Sequence, residues 1–481
     1  MKLLYIGGGF VGTCSAAVMA DAGHEVLVYD IDPAKIAALS SGKRDSIENI
    51  LFERDLADYI LKHKDRLTFT SAWDDVKQWL EQTDAVFLCL PTPEKNGQEG
   101  ESDMSYYQSA LASLGPALAV RNNNKQDHYV VIINKSTVPL ETADMAQEIL
   151  AQHGARNFGV VSNPEFLVEG QAVHDSVHPT RVVIGASSKK DFEIMRQVYA
   201  RWYNVPRIAY VEVNPFEAAA GKLLANYLLF SRLANTFDVV GRLCEVFPHM
   251  RFEQVRKVLT TDPRIGTWGF YDSLHAGGSC FIKDAASLAY QLEQKTDRTA
   301  LVRDALEANR YQLQHFFDRA AQEAHFDFKG KTVALLGAAF KQETNDVRHS
   351  GALGIIELLL ENNVKQIRVY DPVAYDSLHR WLLTAFGSTA QQRERYGVPL
   401  NEKIVHCFNA EEVWSPDTSC TFIATDWREF QQLPQQFQKL CKSPHLIMDG
   451  RRIWCHAYDE LQQAGYDIIA VGSPFLKAIP I

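Results

Sequence analysis

The chain has 481 residues, of which 46% are hydrophobic and 22% charged, with a formal net charge of -10. This composition describes a globular protein with several domains' worth of core and excludes a disordered chain. It offers no basic face for general nucleic-acid binding, and no apolar run reaches the roughly 18 residues that span a bilayer.

The opening segment, Leu3-Leu4-Tyr5-Ile6, runs directly into glycines and has neither the apolar core nor the cleavage site of a signal peptide. A cytoplasmic protein is expected. Its eight cysteines, Cys14, Cys89, Cys244, Cys280, Cys407, Cys420, Cys441 and Cys455, form no CxxC pair and are expected to be reduced thiols, mostly buried as small hydrophobes.

In chain order, Lys2–Ile6 reads as a strand, Gly7-Gly8-Gly9-Phe10-Val11-Gly12 as a turn, Thr13 to about Ala22 as a helix, and Glu25–Tyr29 as a second strand ending at Asp30. Strand, Gly7-x-Gly9-x-x-Gly12, helix, strand and an acidic residue about 20 positions on form a dinucleotide-binding βαβ unit. The glycines give a tight turn and let the backbone approach a pyrophosphate, which faces the helix N-terminus. Asp30 would accept from the adenosine ribose, which favours NAD over NADP.

Further apolar runs, 85–90, 129–133 and 159–162, read as strands covered on both faces. Each stops at polar residues: Pro91-Thr92-Pro93, Asn134-Lys135-Ser136-Thr137-Val138-Pro139, and Asn163-Pro164-Glu165-Phe166. Ligands of open parallel sheets bind at such carboxyl ends. A helical stretch from about Pro215 to Val246 exceeds the usual ~8–20 residues and suits a domain link or a dimer seam. From Lys331 the strand–helix–strand grammar restarts, with 333–336 and 367–371 as strands and 351–362 as a helix. There, Gly337-Ala338-Ala339-Phe340 lacks the glycine fingerprint, so a ligand other than a second dinucleotide is expected.

The loop Gly277-Gly278-Ser279-Cys280-Phe281-Ile282-Lys283-Asp284 delivers a cysteine to a helix start, where orphan N–H groups and the helix dipole favour a thiolate. Asp284 lies one helical turn further along the same face. His174 and His178 are spaced as a metal pair but have no third ligand at a plausible spacing, so no metal is expected. Asn134-Lys135-Ser136 is a formal glycosylation sequon without a route to glycosylation.

Taken together, Gly7-x-Gly9-x-x-Gly12, Ser136-Thr137-Val138-Pro139, Asn163-Pro164-Glu165-Phe166-Leu167-x-Glu169-Gly170, Lys222 with Asn226, the Cys280 loop, Phe340-Lys341 with Asp346-x-Arg348, and Asp449-Gly450-Arg451-Arg452 resemble the UDP-glucose/GDP-mannose dehydrogenase family over nearly the whole chain, most closely its UDP-glucose dehydrogenases. The resemblance implies two Rossmann-like, doubly wound α/β domains joined by a long central helix. The implied boundaries are an NAD-binding domain at 1–210, a helical dimerisation region carrying the cysteine loop at 211–325, and a UDP-sugar-binding domain at 326–481. Two departures stand out. Phe52-Glu53-Arg54-Asp55-Leu56 replaces the family's usual Tyr-Glu-Pro-Gly-Leu, and Ser273-Leu274-His275-Ala276 replaces its glycine and aromatic approach to the cysteine.

The implied reaction is a four-electron oxidation of UDP-glucose to UDP-glucuronate through a thiohemiacetal and then a thioester on Cys280. Thiolate addition makes an aldehyde carbon tetrahedral so that a second hydride can leave. The resemblance implies Lys222 and Asn226 as oxyanion stabilisers, Thr137 and Asp284 as holders of a water, and Glu165 as the general base. For NAD it implies Gly7, Gly9, Phe10, Val11, Gly12, Asp30, Lys35, Thr92, Thr137, Glu169, Lys283 and Arg348. For the nucleotide sugar it implies Phe166, Leu167, Lys222, Asn226, Gly277, Phe340, Lys341 and Arg451, with Arg264 supplied to a neighbouring subunit of a homodimer or of a larger oligomer built from dimers. The competing readings are the same chemistry on a UDP-N-acetylhexosamine or GDP-mannose, an ordinary two-electron hydroxyacid dehydrogenase of related fold, and a catalytically silent nucleotide-sugar regulator.

Overall fold

The computed structural model describes residues 1–95, 99–124, 128–271, 273–296, 299–387, 389–396 and 399–479. The chain divides into two compact units, Met1–Asn226 with Ala286–Asp297, and Tyr227–Ala285 with Arg298–Ile481.

The first unit is built on eight strands: β1 (Lys2–Ile6), β2 (Glu25–Tyr29), β3 (Leu67–Thr70), β4 (Ala85–Leu88), β5 (Val130–Asn134), β6 (Phe158–Ser162), β7 (Arg181–Gly185) and β8 (Ala209–Val213). They lie in the order β3-β2-β1-β4-β5-β6-β7-β8. All neighbours are parallel except β6 and β7. Side chains alternate between two cores, Leu3, Tyr5, Val28 and Phe87 on one face and Leu4, Ile6, Val86 and Leu88 on the other. Two covered faces are what unbroken apolar strands require. The strand order reverses between β1 and β4, which opens a crevice beyond their carboxyl ends.

The second unit repeats the grammar with β9 (Thr332–Leu336), β10 (Gln366–Tyr370), β11 (Ile404–His406), β12 (Thr418–Ile423), β13 (Leu446–Asp449) and β14 (Asp467–Ala470). These form a wholly parallel sheet in the order β11-β10-β9-β12-β13-β14. Its reversal falls between β9 and β12. The expected helix after β9 is present as Gly351–Glu361, capped by the Ser350 hydroxyl on the Leu353 amide.

The helix expected from Pro215 to Val246 is present in three consecutive segments: α-helical Pro215–Asn235, π-helical Thr236–Gly241 and α-helical Arg242–Val246. The Thr236 hydroxyl donates to the Arg232 carbonyl at 2.9 Å where the register changes. A side chain bonded into the i→i−4 ladder is a recognised cause of such a break. Among the described residues, no helix is long and apolar enough to cross a membrane.

Candidate active site

The glycine turn after β1 has the geometry a dinucleotide needs. Gly7 sits at φ 107°, and a Cβ on it would lie 2.1 Å from the Cys89 carbonyl oxygen. A Cβ on Gly12 would lie 2.0 Å from the Gly7 oxygen, whereas one on Gly9 would meet nothing within 4 Å. Gly7 and Gly12 are therefore glycine for internal packing, and Gly9 leaves an open approach to the turn. Gly9 is the N-cap of the helix Phe10–Asp21, with no capping side chain and no acidic residue in the first turn. Half-buried Phe10 and Val11 open that helix, whose first amides and positive dipole end suit a pyrophosphate. Asp30, at the end of β2, accepts from the Gly8 amide and from Lys35 Nζ, both at 2.8 Å. The residues present thus fit a dinucleotide.

Across the reversal, the loop after β4 meets the loop after β5. The Thr92 hydroxyl donates to the Thr137 carbonyl at 2.9 Å, and the Ser136 hydroxyl to the Leu90 carbonyl at 2.7 Å. Thr137 and Lys222 share the lining of a small cleft with Asn134, Ser162, Pro164 and Ala219. Glu165, just past β6, forms an ion pair with Lys222 at 3.0 Å. The Leu167 amide donates to the other Glu165 oxygen at 2.7 Å. Burial pushes Glu165 up, but Lys222 and that amide outweigh it and hold the carboxyl below its usual range. Asn226, buried one turn beyond Lys222, shares its helix face. The Phe166 ring carries the Arg181 guanidinium at 3.8 Å and Lys222 Nζ at 5.4 Å.

The atypical 52–56 segment has a definite task. Buried Glu53 accepts from the Gly170 and Ala172 amides at 2.8 and 2.7 Å, and so fixes the turn that carries Glu169. The His174 and His178 rings lie 5.2 Å apart, with Arg207 against His178.

In the second unit, Cys280 is exposed and immediately precedes the helix Phe281–Glu293. Its carbonyl accepts from the Asp284 amide at 2.8 Å. Asp284 is buried, and Lys283 Nζ donates to it at 2.7 Å. The two glycines before the cysteine are required by packing. A Cβ on Gly277 would lie 2.5 Å from the His349 carbonyl oxygen, and Gly278, at φ 87°, lies against the Phe340 ring. Half-buried His275 bonds the same His349 carbonyl at 2.9 Å. The cysteine loop is thereby seated on the Phe340–His349 segment. Lys341 Nζ lies 5.6 Å from the Phe340 ring, and Arg348 is paired with Asp346 at 2.6 Å. Cys455 is the other exposed thiol. Burial pushes Cys89 and Cys441 up to about 12, leaving both protonated at neutral pH.

Arg451, past β13, donates to Asp426 at 2.7 Å and to the Ser273 hydroxyl at 2.8 Å. Its buried Nε has no hydrogen-bond partner among the described residues. Ser273 and Asp426 are thus additional fixtures of this site. The turn after β9 differs from its counterpart after β1. The Asp371 carboxylate already accepts from the Ala338, Ala339, Val373 and Ala374 amides and from the Trp427 indole. A carboxylate so occupied leaves little capacity for a ribose. Arg264 stands 88% exposed beside Asp262.

The first unit therefore brings together Thr92, Thr137, Glu165, Phe166, Lys222 and Asn226. The second brings together Gly277, Cys280, Lys283 and Asp284 with Phe340, and separately joins Arg451 to Ser273. Sequence reasoning passed over Lys135, which is buried directly after β5. Its place at a strand's carboxyl end, among residues already singled out, was the available signal.

Three models of one family match the chain: the NAD binding domain of the UDP-glucose/GDP-mannose dehydrogenase family over residues 1–203, its central domain over 217–311, and its UDP binding domain over 334–456. UDP-glucose 6-dehydrogenase of Bacillus subtilis is 31% identical, covering 99% of this chain and 94% of the relative. UDP-glucose 6-dehydrogenase 1 of Arabidopsis thaliana is 30% identical, covering 100% and 99%. Among solved structures, a UDP-glucose dehydrogenase from Pyrobaculum islandicum superposes with a TM-score of 0.79 at 26% identity, covering 94% of each chain. A UDP-D-ManNAc dehydrogenase from Pyrococcus horikoshii shares the fold at a TM-score of 0.75 and 22% identity, covering 94% of this chain and 96% of the other.

Proposed function

Because the chain belongs to the UDP-glucose/GDP-mannose dehydrogenase family, as an NAD-dependent oxidoreductase with a UDP-sugar substrate, we propose that it oxidises UDP-glucose to UDP-glucuronate. The observation that carries this reading is the exposed Cys280, seated by two obligatory glycines at a helix start beside Phe340. A nucleophile is what separates a four-electron oxidation from an ordinary two-electron one. The full-length relatedness to UDP-glucose 6-dehydrogenases favours glucose as the sugar.

Bound NAD would supply the hydride acceptor, one molecule for each of two successive oxidations. The Cys280 thiolate adds to the aldehyde carbon formed in the first, giving a thiohemiacetal; the second leaves a thioester. Lys222 and Asn226 stabilise the oxyanions by charge and amide donation. Glu165 takes a proton from the water that releases the carboxylate, and the thiol is regenerated. Thr137 and Asp284 hold that water. Gly7, Gly9, Phe10, Val11, Gly12, Asp30, Lys35, Thr92, Glu169, Lys283 and Arg348 serve NAD. Phe166, Leu167, Gly277, Phe340, Lys341 and Arg451 serve the UDP-sugar, with Arg451 on the diphosphate because a planar guanidinium grips phosphate bidentately.

The proposed division of labour is 1–210 for NAD, 211–325 for dimerisation and the cysteine, and 326–481 for the UDP-sugar, in a cytoplasmic homodimer to which Arg264 contributes across subunits. Leu224 and Leu228, 46% and 63% exposed on the long helix, support the dimer. The test is NADH yield across UDP-glucose, a UDP-N-acetylhexosamine and GDP-mannose. Two NADH per UDP-glucose, at the highest kcat/KM of the panel, is expected. Higher kcat/KM for another sugar overturns the substrate, and one NADH per sugar overturns the chemistry.

A further inference from the structure

One buried cation has no part in the chemistry above. Lys135, 7% exposed, donates to Asn163 Oδ1 at 3.1 Å and to the Tyr199 hydroxyl at 3.3 Å. The Tyr199 hydroxyl donates to the same Asn163 oxygen at 2.5 Å, and Asn163 Nδ2 donates to the Val183 carbonyl at 2.9 Å. Lysines are almost never buried unless paired, yet neither hydrogen-bond acceptor here is a carboxylate. The anion lies two residues beyond Asn163, where Glu165 pairs with Lys222.

The titratable groups that face Lys135 come from four directions: Cys89 after β4, Glu165 after β6, Tyr199 after the helix Lys189–Val198, and Lys222 from the long helix. Burial pushes Cys89 to about 12 and Tyr199 well above its usual range, so neither is charged at neutral pH. Glu165 is then the single anion of this group, set among two buried ammonium groups. Burial draws Lys135 down to about 8, against the pull of Glu165, so it is still largely protonated at pH 7.

We propose that Lys135 is a positioning residue for thioester hydrolysis: a second buried cation that anchors the Asn163-Pro164-Glu165 turn and keeps Glu165 ionised as the base. This rests on the reading of Glu165 given above. The test uses the full-length enzyme with UDP-glucose and NAD, following decay of the Cys280 adduct by rapid quench and intact mass from about pH 5 to 9. Wild-type decay should be flat down to the ordinary carboxylate range. Lys135→Met should raise the acid limb by roughly one pH unit, the effect expected of one lost neighbouring charge. The initial NADH burst should keep its amplitude, and Lys135→Arg should restore the wild-type limb. If Lys135→Met does not fold, Lys135→Gln removes the charge and keeps a donor for Asn163, and the same shift is expected. Superimposable acid limbs in wild type and the neutral variant overturn the proposal. Normal steady turnover in Glu165→Gln overturns the underlying assignment instead, whatever the Lys135 variants do.

Discussion

Glu165 and Lys222 form a buried ion pair 3.0 Å apart, with side chains 9% and 5% exposed. The pairing ties the stability of the first unit to pH. Glu165 sits below its usual range in the fold, so its contribution is complete above the unfolded carboxylate pKa and is lost as pH falls through the lower folded value. Lys222→Met removes the cation and leaves burial to dominate. Glu165 should then hold a proton, and its contribution should be lost as pH rises through its raised folded pKa. Urea midpoints measured from acidic to neutral pH should rise with pH in wild type and fall in the variant, with a loss of about 3–5 kcal/mol at neutral pH. Parallel curves would disprove the coupling.

Gly9 and Gly12 should respond differently to the same methyl group. Gly9→Ala adds a Cβ into open space, so the unfolding midpoint should hold while NAD affinity falls tenfold or more. Gly12→Ala drives a Cβ to 2.0 Å from the Gly7 oxygen and should cost about 1–3 kcal/mol as well. Denaturation and NAD titration of both variants check this. Equal destabilisation would contradict the assigned roles.

Asp30 holds Lys35 at 2.8 Å, so neutralising Asp30 frees a cation next to the proposed ribose site. Asp30→Asn should weaken NAD and relax the preference against NADP, and adding Lys35→Ala should remove the gain with NADP. Steady-state kinetics with both cofactors decide it. Wild-type enzyme turning over faster with NADP at equal concentrations would contradict the ribose assignment.

Leu228 is 63% exposed on the long helix and Arg264 88% exposed beyond it. Leu228→Glu should shift sedimentation towards monomer and, with it, abolish most activity, if each site takes the partner subunit's arginine as proposed. Arg264→Ala should lose activity without dissociating. A fully active monomer would refute both parts.

The glycines of the turn after β1 and of the Cys280 loop were legible because backbone geometry forces them: Gly7 and Gly278 take positive φ, and Gly12 and Gly277 have no room for a Cβ. Strand β8 is largely exposed along its length and carries no unbroken apolar run, whereas β4, β5 and β6 were legible as such runs. The π-helical turn at Thr236–Gly241 was not, since its sequence is an ordinary helical one and the change in register resides in a hydroxyl bond to Arg232. Lys135 and Ser273 were missed for a related reason. Their significance lies in partners far along the chain, Tyr199 for one and Arg451 for the other. The turn after β9 was set apart in the sequence by its missing glycine fingerprint, and the structure adds that Asp371 is filled by internal donors.

The central claim is that a thioester forms on Cys280 and that Glu165 drives its hydrolysis. Glu165→Gln keeps the shape of the side chain but cannot accept a proton, and loss of a general base costs about 10²–10⁴ in rate. With UDP-glucose and NAD, this variant should release a burst of NADH and stall. Intact-protein mass spectrometry should show one uronyl-nucleotide adduct, mapping to the peptide of Cys280 and not to that of Cys455, the other exposed thiol. Cys280→Ser should carry none. An unmodified Glu165→Gln protein with normal steady turnover, or an adduct on any other cysteine, would contradict the account.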